Sequence, residues 1–284
     1  MTDKYAVIGN PIAHSKSPEI HTMFAEQFKG KPAGDMVYRD RVLVPLDGFA
    51  ETIERLRKEG YKGCNVTVPF KVQAWELPGK RYVRALDANA ANTLIFKDAE
   101  ISLDNTDGTG LVRDIEQNLG VNLRGKRILL VGAGGAAYGV LHPLLEASQA
   151  ALVIYNRTLE NAVSLQKTVK QHDNFRNFFI RAVEFGGLRD EQFDVVINAT
   201  SAGLTDSGIP LPPTIFAPGA LAYDMMYGRE TPFMKFAREH GKQLGVQVSD
   251  GLGMLVEQAA ESFFLWRGMR PDTAPVIAAL RKQQ

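Results

Sequence analysis

The chain has 284 residues, length for about two domains of roughly 150 residues each. Its 33 basic and 32 acidic side chains leave a net charge of +1, so it has no strong cationic surplus with which to displace counterions from nucleic acid or to hold an anionic membrane. Hydrophobic residues make up 45% and charged ones 23%, the balance of a globular chain that buries its core without staples.

Tyr5-Ala6-Val7-Ile8 reads as a short buried strand that stops at Gly9-Asn10-Pro11. Ser17 as N-cap, Pro18 at the first helical position and Glu19 in the first turn then start a helix, with Ile20, Met23, Phe24 and Phe28 on one stripe. A strand is predicted from Tyr38 to Val44, a helix carrying Phe49, Ile53 and Leu56 closes at Gly60, and a third strand covers 62–68. The stretch 91–104 reads as a hairpin turning near Asp98-Ala99, and a helix follows from about Asp107 to Leu119. Arg127 to Val131 is a buried strand that runs into GAGGAAYG and a helix to about Glu146. Ala151 to Tyr155 is the next strand, and Thr158 to about Gln171 the next helix. Val195 to Ile197 and Leu221 to Tyr223 are further strands, and helices over roughly 252–267 and 272–283 close the chain. Strands alternating with helices predict parallel sheets wound by right-handed crossovers.

One cysteine, Cys64, excludes an intrachain disulfide and a thiolate metal cluster. The five histidines, His14, His21, His142, His172 and His240, never stand at a metal-ligand spacing such as HExxH, so no metal is expected. No apolar run reaches about 18 residues, and the first residues lack the apolar segment of a secretory signal. The expected address is therefore the cytoplasm, with no membrane or nucleic-acid partner.

Gly132-Ala133-Gly134-Gly135-Ala136-Ala137 fits G-x-G-x-x-A directly after a strand and at the opening of a helix. There the glycines let backbone amides approach a pyrophosphate, and the helix N-terminus favours its charge; a tight turn without a ligand is the plainer alternative. Where an NAD enzyme usually carries an acidic residue after the second strand, this chain has Asn156-Arg157-Thr158. A guanidinium can clamp a ribose 2′-phosphate, so the sequence points to NADP, unless Arg157 is a solvated surface arginine.

Further strings follow in a fixed order around that turn: Gly9–His21 (GNPIAHSKSPEIH), Gly63–Lys71 (GCNVTVPFK), Asn105–Asp107 (NTD), Asn198–Gly203 (NATSAG) and Gly251–Gln258 (GLGMLVEQ). On these motifs the chain closely resembles the shikimate dehydrogenase family over essentially its whole length. The resemblance implies NADPH-dependent reduction of 3-dehydroshikimate to shikimate, in aromatic amino-acid biosynthesis. It places the serines that hold the substrate carboxylate at Ser15 and Ser17, the catalytic lysine at Lys71 and its partner aspartate at Asp107. Further substrate contacts fall on Thr67, Asn92, Tyr227 and Gln258. Cofactor contacts fall on the 132–137 turn, on Asn156, Arg157 and Thr158, and on Met225 and Gly251.

The residue chemistry is compatible. Hydride addition to a ketone leaves an alkoxide that must take a proton, and an ammonium group can donate one while a nearby carboxylate favours its charged form. Lys71 and Asp107 stand 36 positions apart in the chain, so their adjacency comes from the resemblance alone. Taken singly, Lys71 reads as a surface lysine and Asp107 and Ser17 as helix caps, and Gln258 reads equally well as a buried structural amide. His14 and His21 read as structural, since the lysine already supplies the proton.

The chain also departs from the family's usual pattern. Thr22 follows His21 where Asn is usual, and Asn89-Ala90-Ala91-Asn92-Thr93 stands for GAVNT. Asn tolerates a left-handed backbone, so Asn89 is expected to replace the glycine cheaply. Leu204 follows NATSAG where Met is common, and Asn161 takes the place of a second basic residue, which weakens the expected phosphate clamp.

The expected fold is a two-domain α/β enzyme: a substrate domain over 1–107, completed by helices from 251–284, and a Rossmann-type doubly wound parallel sheet over 108–250, with the active site in a cleft between them. A monomer or homodimer acting on a small molecule is expected. Two other readings fit the sequence: a relative with relaxed use of quinate or NAD, and a catalytically silent metabolite-binding regulator, which would be expected to lose Lys71 or Asp107.

Overall fold

A computed structural model of the chain describes residues 2–148, 151–170, 175, 178–200 and 208–283. The predicted helix end at Gln171, and Ser201, Ala202, Gly203 and Leu204 in and after NATSAG, lie outside the described residues. The chain divides into two compact units, one made of 1–110 and 255–284 and the other of 111–254.

The first unit is built in chain order from β1 (Asp3–Gly9), α1 (Ser17–Gln27), β2 (Met36–Leu43), α2 (Phe49–Lys58), β3 (Tyr61–Val66), α3 (Lys71–Glu76), β4 (Lys80–Arg81), α4 (Val83–Ala88), β5 (Thr93–Lys97) and β6 (Glu100–Asp104). Its sheet runs β2-β1-β3-β5-β6-β4. The prediction of parallel pairing holds for β1 with β2 and β3, but β5 runs antiparallel to both β3 and β6. The β5–β6 pairing follows from the predicted hairpin: Asp98, at φ 52°, turns the chain back at once, leaving no crossover for a parallel return. Ile8, Ile53, Leu56, Val66, Phe70, Leu94 and Leu103 form the buried centre of this unit.

The second unit contains β7 (Ile128–Val131), α6 (Gly135–Ser148), β8 (Leu152–Asn156), α7 (Leu159–Lys170), β9 (Ile180–Glu184), β10 (Phe193–Asn198), β11 (Phe216–Asp224), α8 (Pro232–Gly241) and β12 (Gln247–Ser249). Helix α5 (Asp107–Arg113) comes before this unit's first strand, and α9 (Leu252–Arg267) and α10 (Ala274–Arg281) follow its last. The six strands lie in the order β12-β11-β10-β7-β8-β9, and every pairing is parallel. Counted from β7, this is the 3-2-1-4-5-6 order of a dinucleotide-binding sheet, whose direction of winding reverses between β7 and β10. Both faces are covered. Leu130, Ile154 and Ile197 pack with α6 and α7 on one side, and Leu129, Val153 and Val196 pack with α8 on the other, which is why these strands read as unbroken apolar runs.

The reading differs from the structure at one helix start. Ser17 is the first residue of α1 rather than its cap; Lys16 precedes it, and the Ser15 hydroxyl accepts the Ser17 N–H at 3.3 Å. Among the described residues no helix is long and apolar enough to cross a membrane.

Candidate active site

In the first unit, parallel pairing of β1 with β3 sets Ile8 opposite Val66, so the loops after both strands leave from one sheet edge. They pass so closely that a Cβ on Gly9 would meet Thr67 Cγ2 at 2.5 Å. β6 ends at that edge and β5 begins there, with Thr93 opposite both Asn65 and Asp104. This register delivers Thr67, Asn92 and Asp107 together.

Lys71 opens α3, and its Nζ donates to Asp107 Oδ2 at 2.5 Å. The lysine side chain remains 28% exposed and the aspartate 11%, so the pair is open on the ammonium side. The other carboxylate oxygen, Asp107 Oδ1, accepts from Asn92 Nδ2 at 2.8 Å. Asn92 also donates to Gln258 Oε1 at 3.3 Å, while its own Oδ1 accepts from Thr106 N at 2.9 Å and Thr93 Oγ1 at 2.8 Å. Gln258 Nε2 donates in turn to the Leu255 carbonyl at 2.8 Å.

Sequence reasoning missed the support beneath these groups. Asn105 accepts the Asp107 N–H at 3.1 Å and donates to the Ala90 carbonyl at 3.1 Å. Buried Asn65 accepts from the Tyr38 hydroxyl at 2.8 Å and donates to Thr93 and Ser262 at 3.3 and 3.1 Å. The available signal was polarity inside otherwise apolar strands. His21 Nε2 lies 3.2 Å from Asn65 Oδ1, and its ring stacks on Tyr38 at 4.2 Å. Because that oxygen only accepts, Nε2 carries the proton. Burial holds His21 neutral, lowering its pKa to about 3 against the weaker opposite pull of the Asn65 hydrogen bond.

Ser15 and Ser17 lie together at the start of α1, the Ser15 hydroxyl donating to Ser17 Oγ at 3.2 Å. Arg41, also missed from sequence, fixes this strap: its Nε donates to the Ser15 carbonyl at 2.8 Å and its Nη2 to both Glu19 carboxylate oxygens at 2.8 Å. The ion pair neutralises Glu19, an acid in the first turn that would otherwise oppose an anion there.

In the second unit, register aligns the strand ends again: Val131 opposite Tyr155 and Asn198, and Asn198 opposite Asp224. Gly132, Asn156, Arg157, Met225 and Gly251 therefore leave from one edge. Gly132 has φ +108° and lies against the loop after β10, where a Cβ would come 3.1 Å from the Ala199 carbonyl carbon. Around Gly134 and Gly135 nothing lies within 4 Å of a built Cβ, and Gly134, Gly135 and Ala136 are exposed at the mouth of the 14-residue α6. This bare backbone beside a helix N-terminus suits a pyrophosphate. Arg157 and Thr158 are exposed one strand away, and Asn156 Nδ2 ties the turn by donating to the Thr158 carbonyl at 2.8 Å. Asn161 is exposed in the first turn of α7. Tyr227, half-buried, also belongs to this unit. The donor set thus fits a nicotinamide dinucleotide with a 2′-phosphate: open backbone amides for the pyrophosphate, and for the extra phosphate a guanidinium directly after β8, where an NAD enzyme usually carries an acidic residue.

Comparison with known proteins bears on all of these groups. Residues 7–94 match the shikimate dehydrogenase substrate binding domain, 114–205 the shikimate / quinate 5-dehydrogenase domain, and 251–281 the shikimate 5′-dehydrogenase C-terminal domain. A shikimate dehydrogenase (NADP(+)) of Methylobacillus flagellatus is 56% identical over 279 residues, covering 98% of this chain and 99% of that protein. The crystal structure of an Ael1 enzyme from Pseudomonas putida is similar at TM-score 0.87 and 46% identity, covering 98% of both chains. That of the Thermus thermophilus shikimate 5-dehydrogenase in complex with NADP(H) and shikimate is similar at TM-score 0.83 and 30% identity, covering 99% of this chain and 100% of that one.

Proposed function

The chain belongs to the shikimate dehydrogenase family, and we propose that it catalyses the NADP-linked, reversible reduction of 3-dehydroshikimate to shikimate in the cytoplasm. The observation that carries this reading is the Lys71–Asp107 pair at 2.5 Å, anchored from behind by Asn92 at 2.8 Å and open on its lysine side.

The reduced cofactor supplies the hydride. Lys71 Nζ donates the proton that the developing alkoxide needs, and in the oxidative direction the neutral amine takes it back. Asp107 holds the ammonium in place and balances its charge. Ser15 and Ser17, with the N-terminus of the 11-residue α1, hold the substrate carboxylate, a task that hydroxyls and backbone amides can share. Thr67, Asn92, Gln258 and Tyr227 read the substrate's hydroxyl and keto groups. The turn from Gly132 to Ala137 seats the pyrophosphate, Asn156, Arg157 and Thr158 take the adenosine end, and Met225 and Gly251 flank the nicotinamide side.

Absorbance at the reduced-nicotinamide band tests the reading, with shikimate and quinate each crossed with NADP and NAD. Fast turnover of shikimate with NADP alone is expected. Comparable turnover with quinate or NAD would transfer the chain to a dual-specificity reading, and none in any pairing would overturn the assignment.

A further inference from the structure

At the end of β11, Asp224 is fully buried, and its carboxylate takes hydrogen bonds from neutral donors. Met226 N–H donates to Oδ1 at 2.9 Å, while Asn198 Nδ2 and the Thr231 hydroxyl donate to Oδ2 at 3.0 and 2.5 Å. Each donor belongs to a different piece of the cofactor-side edge. Asn198 Oδ1 accepts from the Thr200 N–H at 3.0 Å and hydroxyl at 2.7 Å, shaping the loop against which Gly132 lies. The Met226 carbonyl accepts the Gly251 N–H at 2.8 Å, and a Cβ on Gly251 would come 2.3 Å from the Met225 carbonyl oxygen. Thr231 caps α8 by accepting the Met234 N–H at 3.2 Å. One side chain thus joins the loops after β10 and β11 and, through Met226, the approach to Gly251. Only a carboxylate does this well. It offers nothing but acceptors, whereas an asparagine amide would turn a donor toward Asn198, Thr231 or Met226.

We propose that Asp224 is a positioning residue for the nicotinamide cofactor: acting through Met225, Met226 and Asn198, it fixes the loops that flank the ring and so sets affinity for NADP(H). This rests on the reading that Met225 and Gly251 flank the cofactor. The test is titration of the full chain with NADPH alone, following reduced-nicotinamide fluorescence, beside a melting curve for each variant. Asp224→Asn should weaken NADPH binding roughly tenfold, the effect of a lost hydrogen bond to a charged group. Thr231→Val should weaken it by about threefold, and Thr231→Ser, which keeps the donor, should not. If Asp224→Asn does not fold, the threonine pair decides. A lower melting temperature with unchanged NADPH affinity would overturn the proposal, as would equal affinities for Thr231→Val and Thr231→Ser. Met225→Ala separates the two claims: unchanged binding there removes the reading of the loop and the proposal with it, while weakened binding with an unaffected Asp224→Asn removes the proposal alone.

Discussion

The two sheet edges that carry the candidate groups, one in each unit, are built by opposite means. On the substrate side, side chains do the holding: Lys71, Asp107, Asn92, Thr106 and Gln258 are hydrogen-bonded to one another, and all but Lys71 are buried. On the cofactor side the contact surface is backbone, with Gly134 and Gly135 exposed and room left around them. The difference suits the ligands proposed for the two edges. A small polyhydroxylated acid must be read group by group, which needs fixed donors and acceptors, and an unpaired polar group there costs discrimination. A pyrophosphate is a compact charge that any amide-rich helix start can hold, which needs the absence of side chains more than their presence. The substrate edge should therefore be sensitive to truncation throughout, and the pyrophosphate turn of the cofactor edge tolerant of it, with the sensitivity on that side confined to Arg157 and to the side chains that fix the loops after β10 and β11.

The sharpest way to break the comparison is Lys71→Ala. If the lysine is the proton donor, kcat falls by roughly 10²–10⁴ while KM for shikimate stays within a few-fold, because the lost interaction belongs to the transition state. Steady-state kinetics with saturating NADP checks this, and near-wild-type turnover removes the lysine from its role. On the other edge, Arg157→Ala should weaken NADP binding by roughly ten- to a hundredfold and leave NAD nearly unchanged, as expected for one charge-assisted contact to a phosphate. Direct titration with both cofactors decides it. Equal losses would show that the arginine holds a part common to both cofactors rather than the phosphate, and no loss for either would leave that edge to its backbone.

These two edges are also unequally legible in the sequence. GAGGAA declares itself because three constraints coincide locally: a buried strand, glycines and a helix start. The substrate edge is assembled from residues far apart in the chain, and no local rule joins Lys71 to Asp107 or Asn92 to Gln258; only the family resemblance links them. Helices α3 and α4 have six residues each, too few turns to print a helical period, so neither can be read from the pattern. Asn65 and Ser262 stay hidden because a polar residue on a strand or helix does not reveal its partners 197 positions away. Ser17 falls one position from its expected place, since Ser before Pro satisfies the rule for a cap whether its own hydroxyl caps or, as here, the Ser15 hydroxyl takes the Ser17 N–H.

A smaller effect tests whether the substrate edge is held from beneath by a buried neutral histidine. His21 has a folded pKa of about 3 against an ordinary value of 6.5. Between those values the unfolded chain binds a proton that the native chain does not, so this contribution is fully present above pH 6.5 and drains away as pH falls toward 3. The slope is at most about 1.4 kcal/mol per pH unit. His21→Gln, which keeps a donor for Asn65 but loses the ring stacked on Tyr38, should lower stability at every pH and flatten the acid limb of denaturant-derived stability by up to that slope. An unaltered slope would mean that His21 titrates in the native protein as it does in the unfolded chain.

The smallest effect concerns how the chain reaches Asn92. Asn89 ends α4 at φ 46° and ψ 36°, a left-handed conformation that costs most residues about 1–2 kcal/mol and asparagine less. Its turn throws Ala90, Ala91 and Asn92 across the site, where the Ala91 N–H donates to the Lys71 carbonyl at 2.8 Å and the Ala90 carbonyl accepts from Asn105 at 3.1 Å. Glycine relieves the residual strain but frees the unfolded chain, and the two terms oppose each other. Asn89→Gly should therefore change stability by no more than about 0.5 kcal/mol and leave kcat unaltered, whereas Asn89→Val should cost about 1–2 kcal/mol. Urea unfolding of the three proteins measures both. If valine is as well tolerated as glycine, the turn is not what delivers Asn92, and the hydrogen bonds from Ala91 and Asn105 alone must carry that segment into the site.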